Sequence, residues 1–162
     1  MIPLTENQIR SSFVNASQRE RKEASLPDLA QVRFDDLDYL GWRDRKQPSI
    51  GYVVAIIDGE PVGVLLRLAD GRVRSRPQCS WCDDVHLPND VVFFIAKRAG
   101  KAGRNGNTLG TLVCADFQCS ANVRKRPPTA YVGFDVEAAR QRRVDALREH
   151  VDAFVRRVMD GD

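Results

Sequence analysis

The chain has 162 residues, 43% of them hydrophobic, and 25 Lys and Arg against 22 Asp and Glu leave a formal charge of +3. That length suits one compact domain or two small units sharing a core. No apolar run approaches the roughly 18 residues needed to cross a bilayer, and Met1-Ile2-Pro3-Leu4-Thr5 lacks the basic-then-apolar order of a secretory signal. A soluble, cytoplasmic protein is expected, with a charge too mild to argue alone for a nucleic-acid partner.

The first element is a helix over about residues 5 to 24. Thr5 caps it with Gln8 three residues on, Leu4 and Ile9 are spaced as a hydrophobic staple, and Pro27 ends it. Residues 28 to 48 carry Phe34, Leu37, Tyr39, Leu40 and Trp42 without a clean period, which suggests a short helical turn leading into an extended segment. Ile50 to Ile57 and Val62 to Leu68 are β-branched runs around Asp58-Gly59, a hairpin. Asp70-Gly71 repeats the turn signal, so Arg72 to Ser75 is expected to complete an antiparallel meander.

Then come the only four cysteines, in two close pairs: Cys79-Ser80-Trp81-Cys82 and Cys114-Ala115-Asp116-Phe117-Gln118-Cys119. Two short chelating loops are what a tetrahedral Zn²⁺ needs from four thiolates. Two disulfides are the competing reading, but the chain shows no secretory signal. A Cys-x-x-Cys redox pair would leave Cys114 and Cys119 unexplained and lacks a βαβ setting. Four thiolates fill the coordination shell, so a single structural zinc is expected, with His86 a hairpin histidine in preference to a substitute ligand. Between the pairs, Val91 to Ala96 and Thr108 to Val113 are strands around a loop from Gly100 to Asn107. Asp116 is suited to cap a short helix carrying Cys119 and ending at Pro127-Pro128. Knuckle, hairpin, strand end and helix start follow the order of a treble clef, with the helix N-terminus favouring ionised thiols.

Asp135 caps a last helix from about 136 to 159. Its apolar stripe runs Val136, Ala139, Val144, Leu147, Val151, Phe154, Val155 and Val158, opposite Arg140, Arg142, Arg143, Arg148, Arg156 and Arg157. The fold class is therefore α+β: an antiparallel β-meander with an N-terminal helix, a treble-clef zinc finger and a long C-terminal helix. The segments are 1–76, 77–130 and 131–162, packed as one unit.

The Cys-x-x-Cys pair, the aromatic strand, the approach Leu109-Gly110-Thr111-Leu112-Val113-Cys114 and the second pair followed by Val123-Arg124 resemble the treble-clef zinc finger of the elongation factor G-binding, or FBP-type, proteins. That family includes the FusB-type fusidic acid resistance proteins. The resemblance covers about residues 74 to 127. It implies a zinc module, held by Cys79, Cys82, Cys114 and Cys119, that binds elongation factor G and helps release it from the ribosome without catalysis.

The residues alone also suggest a macromolecular partner. Lys97, Arg98, Lys101, Arg104, Arg124, Lys125 and Arg126 gather around the hairpin loop and the short helix, and Asp116 is the only acid between residues 91 and 134. Phe93 and Phe94 are neighbours on a strand, so their side chains take opposite faces. One is an exposed interface anchor unless the C-terminal helix covers the second face. The alternative reading is direct binding of rRNA phosphates by the same loop and helix. An enzyme is not expected: Gly100-Lys101-Ala102-Gly103-Arg104 lacks P-loop order, no Ser/His/Asp set is present, and no small-molecule substrate is implied.

Overall fold

The β-branched and aromatic runs form one antiparallel sheet in this computed structural model, which describes residues 1–70, 77–84, 90–127 and 131–161. Its strands are β1 (Leu40–Arg43), β2 (Ile50–Ile57), β3 (Glu60–Leu68), β4 (Val91–Lys97) and β5 (Thr108–Cys114), side by side in chain order. β2 and β3 pair around Asp58-Gly59, whose φ angles of 51° and 86° match the two-residue turn that a right-twisted hairpin favours. β4 and β5 pair from Val91 opposite Cys114 to Lys97 opposite Thr108. The hairpins join through Arg67 opposite Ile95 and Leu68 opposite Phe94, and the Ala69 amide donates to the Phe93 carbonyl at 2.9 Å. The meander strand expected at residues 72 to 75 lies outside the described residues. The sheet neighbour of β3 is β4, so the meander and the zinc hairpin share one sheet.

The single helix expected over residues 5 to 24 is two short ones, α1 (Glu6–Ser12) and α2 (Gln18–Glu23). Thr5 with Gln8 forms the expected capping box on α1, and Ser17 with Glu20 forms a second one on α2. The break lies between them because Ser11 and Ser12 bond back to the carbonyls of Gln8 and Ile9, competing with the helix. Phe13 then turns extended and bridges to Gly63. Asn15 locks the crossing, its side chain exchanging both bonds with the Leu65 backbone at 2.8 and 2.9 Å. Arg10 caps the end of α2 by donating to the carbonyls of Arg21, Lys22 and Ala24. Helices of seven and six residues are unstable alone, so burial against the sheet holds them.

That burial forms the outer core: Leu4, Ile9, Phe13, Phe34, Trp42, Tyr52, Val54 and Leu65 cluster on one sheet face. The turn expected before β1 is a 3₁₀ turn at Phe34–Asp36. On the opposite face lies α5 (Val136–Met159), capped by Asp135 as its sequence predicts. Its stripe of Val144, Leu147, Val151, Phe154, Val155 and Val158 belongs to the inner core with Val53, Val64, Leu66, Phe94 and Val113. The stretch expected as an open loop holds a short helix, α3 (Gly100–Arg104), because it receives the end of α5. The Ala99 amide donates to the Val158 carbonyl and the Ala102 amide to the Gly161 carbonyl, at 2.7 and 2.9 Å. No helix among the described residues is long and apolar enough to cross a membrane.

Candidate metal centre and partner face

The two cysteine pairs converge. Cys79 and Cys82 sit on a tight knuckle closed by the Asp83 amide donating to the Cys79 carbonyl at 3.0 Å. Cys114 ends β5 and Cys119 opens α4 (Cys119–Arg124). All four are buried free thiols with sulfurs within 4.8 Å of one another. The Cys79–Cys119 and Cys82–Cys114 Sγ separations are 3.7 and 3.6 Å. Disulfide sulfurs would lie about 2.05 Å apart, whereas four sulfurs about 2.3 Å from a central zinc lie roughly 3.8 Å from each other. The donor set thus fits one tetrahedral, structural Zn²⁺.

Electrostatics agree with that fit. Hydrogen bonding to the Cys114 thiol holds Cys79 well below the ordinary thiol range, while sharing with Cys114 pushes Cys119 well above it. Four sulfurs this close cannot all ionise without a cation, so zinc binding must release protons. Hydrogen bonds already aim at the sulfurs: the Trp81 amide donates to Cys79 Sγ at 3.4 Å, and buried Asn122 donates from Nδ2 to Cys114 Sγ at 3.4 Å.

Asp116 is not the cap of α4. Gln118 occupies that position, and the turn that places Cys119 is made by Phe117 in the left-handed region at φ 56°. Burial stabilises this strained turn: Phe117 stacks on Phe94 with centroids 5.3 Å apart and lies against Gly41 and Gly51. A Cβ on either glycine would come within 2.6 or 2.7 Å of Phe117, so these two strand glycines make room for the metal-site turn. Trp81 packs edge-on against Tyr39 and tilted against Phe154, joining knuckle, β1 approach and α5. His150 is half-buried with its Nδ1 3.0 Å from the Trp81 carbonyl, a further tie between α5 and the knuckle. His86 lies outside the described residues.

The basic patch divides. Arg124 pairs with Asp38 at 2.5 Å, and Arg148 pairs with the same buried carboxylate at 2.9 Å, locking α4 to α5. Arg98 pairs with Asp160 and donates to the Arg157 carbonyl, clamping the end of α5. These two members of the expected patch are committed within the molecule. Lys97, Lys101, Arg104, Lys125 and Arg126 are exposed. The arginine face of α5 is likewise largely used internally: Arg143 donates to the Asn122 and Lys125 carbonyls, and Arg156 pairs with Asp58 and Asp152.

Phe94 is fully buried and Phe93 is 39% exposed. α5 lies on the Phe94 side, and the outer face of β4–β5 carries Phe93 with half-buried Ile95 and Leu112. A groove of about 650 Å³ opens elsewhere, between Asp38, Ala55–Ile57 and the α5 residues Arg148, Glu149, Val151 and Asp152. Two of its carboxylates are already paired, Asp38 with Arg124 and Arg148 and Asp152 with Arg156.

Fold and site together define a treble-clef zinc finger whose hairpin extends a β-meander sheet. Over residues 8–158 the chain matches the family described as FBP C-terminal treble-clef zinc-finger, and it belongs to that family. The match reaches well beyond residues 74 to 127, so meander and terminal helix are part of the family's domain. A solved structure of the fusidic acid resistance protein FusC superposes with a TM-score of 0.53 at 22% identity, covering 75% of this chain and 52% of that one. The likeness is one of fold, and the chain spans about half the length of that protein. No curated protein matches.

Proposed function

We propose that this chain is a non-catalytic, cytoplasmic adaptor in which Cys79, Cys82, Cys114 and Cys119 hold zinc, and whose hairpin docks on elongation factor G, alone or on the ribosome. One observation carries the partner reading. The N-terminal layer covers the outer sheet face over β1–β3, while over β4–β5 that face presents Phe93 and exposed Lys97, with Lys101 and Arg104 on the adjoining α3. An apolar anchor with a charged rim is the composition of a binding surface. Family membership supports the partner, and a shell of four thiolates leaves no open position for substrate or water, which supports the absence of catalysis. The segments 1–76, 77–130 and 131–162 act as one unit in this reading, since one sheet runs through the first two and α5 packs on both.

A second reading, direct rRNA contact, is favoured by exposed Lys125 and Arg126 at the end of α4. A pull-down from nuclease-treated lysate separates the two, since elongation factor G stays bound and an rRNA-mediated partner is lost. Phe93→Ala with Lys101→Glu and Arg104→Glu should abolish capture while zinc content and melting temperature hold. Unimpaired capture by that folded variant would move the interface off the hairpin.

A further inference from the structure

Among the described residues β5 is the outermost strand, so one side of its backbone faces away from the sheet. Which groups face outward follows from neighbouring bonds. The Phe93 carbonyl points to β3, where it accepts from Ala69, and Leu112 opposite Phe93 points the other way, its carbonyl accepting from the Ser80 amide at 2.8 Å. By antiparallel alternation the backbone groups of Thr108, Gly110 and Leu112 face outward, and those of Leu109, Thr111 and Val113 pair with β4. Ser80 occupies the Leu112 end. Among the described residues nothing pairs with the outward N–H and C=O groups of Thr108 and Gly110, and both residues are exposed.

Natural sheets usually blunt such an edge with proline, a bulge or a projecting charge. Here the edge residue is a glycine with the Phe93 ring across it: a Cβ on Gly110 would lie 2.2 Å from Phe93 Cζ. No side chain of Gly110 projects beside this edge, and Phe93, Ile95 and Leu112 lie on the outer face next to it. Charge is graded along the strand. Lys97 stands opposite Thr108, Lys101 and Arg104 lie on the adjoining α3, and all three side chains are exposed.

We propose that β5 takes up an extended acidic segment of the partner as a sixth strand. Main-chain bonds form at Thr108 and Gly110, apolar side chains meet Phe93 and Leu112, and carboxylates lie at the end beside Lys97, Lys101 and Arg104. A second copy of this chain fits less well, because its own hairpin and finger carry one acid, Asp116, between residues 91 and 134. The inference rests on the elongation factor G reading and specifies the docking mode.

The test is amide hydrogen exchange on the full zinc-loaded chain, with and without elongation factor G, together with Thr108→Pro. Proline at the first residue of an edge strand removes only an outward N–H. Binding should slow exchange at Thr108 and Gly110. Thr108→Pro should weaken affinity about tenfold, the loss of roughly one well-made hydrogen bond, with unchanged zinc content. Lys101→Glu with Arg104→Glu should chiefly slow association. If elongation factor G binds but both amides exchange as before, strand addition is wrong and the partner reading survives. No binding at all overturns both. Protection that needs only the chain's own concentration assigns the edge to a second copy and overturns the acidic-segment proposal. Should Thr108→Pro misfold, the wild-type exchange pattern still decides.

Discussion

The sheet separates two cores that are held together by different physics. The outer core, around Phe13, Trp42 and Tyr52, closes by apolar burial and one buried carboxylate, Asp44. The inner core, around Trp81, Phe94 and Phe117, closes about four sulfurs. The first is complete once its side chains leave water. The second has ordered polar groups that cannot all ionise together, so it is complete only with a cation. Phe93, the proposed anchor, follows directly on the inner core through its neighbour Phe94. Metal status should therefore govern the proposed partner face and leave the N-terminal layer standing.

Each core holds one of the two tryptophans, Trp42 outside and Trp81 inside. Removing zinc, or Cys119→Ser, tests the comparison hardest, with a loss approaching the ~10 kcal/mol scale of zinc-coupled folding. In a Trp42→Phe background Trp81 emission should shift to the red on chelation. In a Trp81→Phe background Trp42 emission should stay blue. Parallel shifts would mean one cooperative core and break the distinction. Metal analysis should find one zinc per chain.

Phe13→Ala strikes the other side. The ring is buried against Trp42 and Tyr52, with centroids 6.4 and 5.5 Å away, and rests over Gly63. Truncation should cost about 3–5 kcal/mol, read as a lower melting temperature followed by Trp42. Zinc stoichiometry should remain one, and loss of metal from the folded variant would show that the cores are not separable.

Periodicity and spacing made much of this legible. The cysteine pairs, the Asp58-Gly59 hairpin, the α5 stripe and the Thr5 cap are local patterns, and these four appear in the structure, whereas Asp116 gives way to Gln118 as the cap of α4. What stayed hidden depends on long-range contact. The break at Phe13 had local signs, Ser11-Ser12 and the Ser17-x-x-Glu20 capping box, but what fixes the chain there is the bridge to Gly63, 50 residues away in chain order by the same crossing that pairs Asn15 with Leu65. The left-handed turn at Phe117 has no sequence signature, since the burial that holds a bulky residue there comes from Phe94, Gly41 and Gly51, all distant in the chain. Arg98 and Arg124 looked like free surface cations because Asp160 and Asp38 are 62 and 86 residues distant.

Asp44 gives the smallest and sharpest test. Its buried carboxylate accepts from the amides of Ser25, Lys46 and Gln47 at 2.8–3.0 Å and from the Tyr52 hydroxyl at 3.1 Å. Burial alone would raise its pKa, but these four donors outweigh it and the pKa falls below the ordinary 3.8. A carboxylate depressed in the folded state contributes stability above its unfolded pKa and loses it as pH falls through the folded value. Burial and the same carboxylate push the Tyr52 hydroxyl up, so that bond contributes below the ordinary tyrosine range and weakens only in alkali. Asp44→Asn keeps the shape but replaces one acceptor oxygen with a donor that faces other donors, costing about 1–3 kcal/mol at neutral pH. Monitored through Trp42 in the Trp81→Phe background, stability of the Asp44 protein should drop below about pH 4, and the Asn variant should show a flatter profile there. A variant as acid-sensitive as its parent would place the outer core's acid response on other carboxylates.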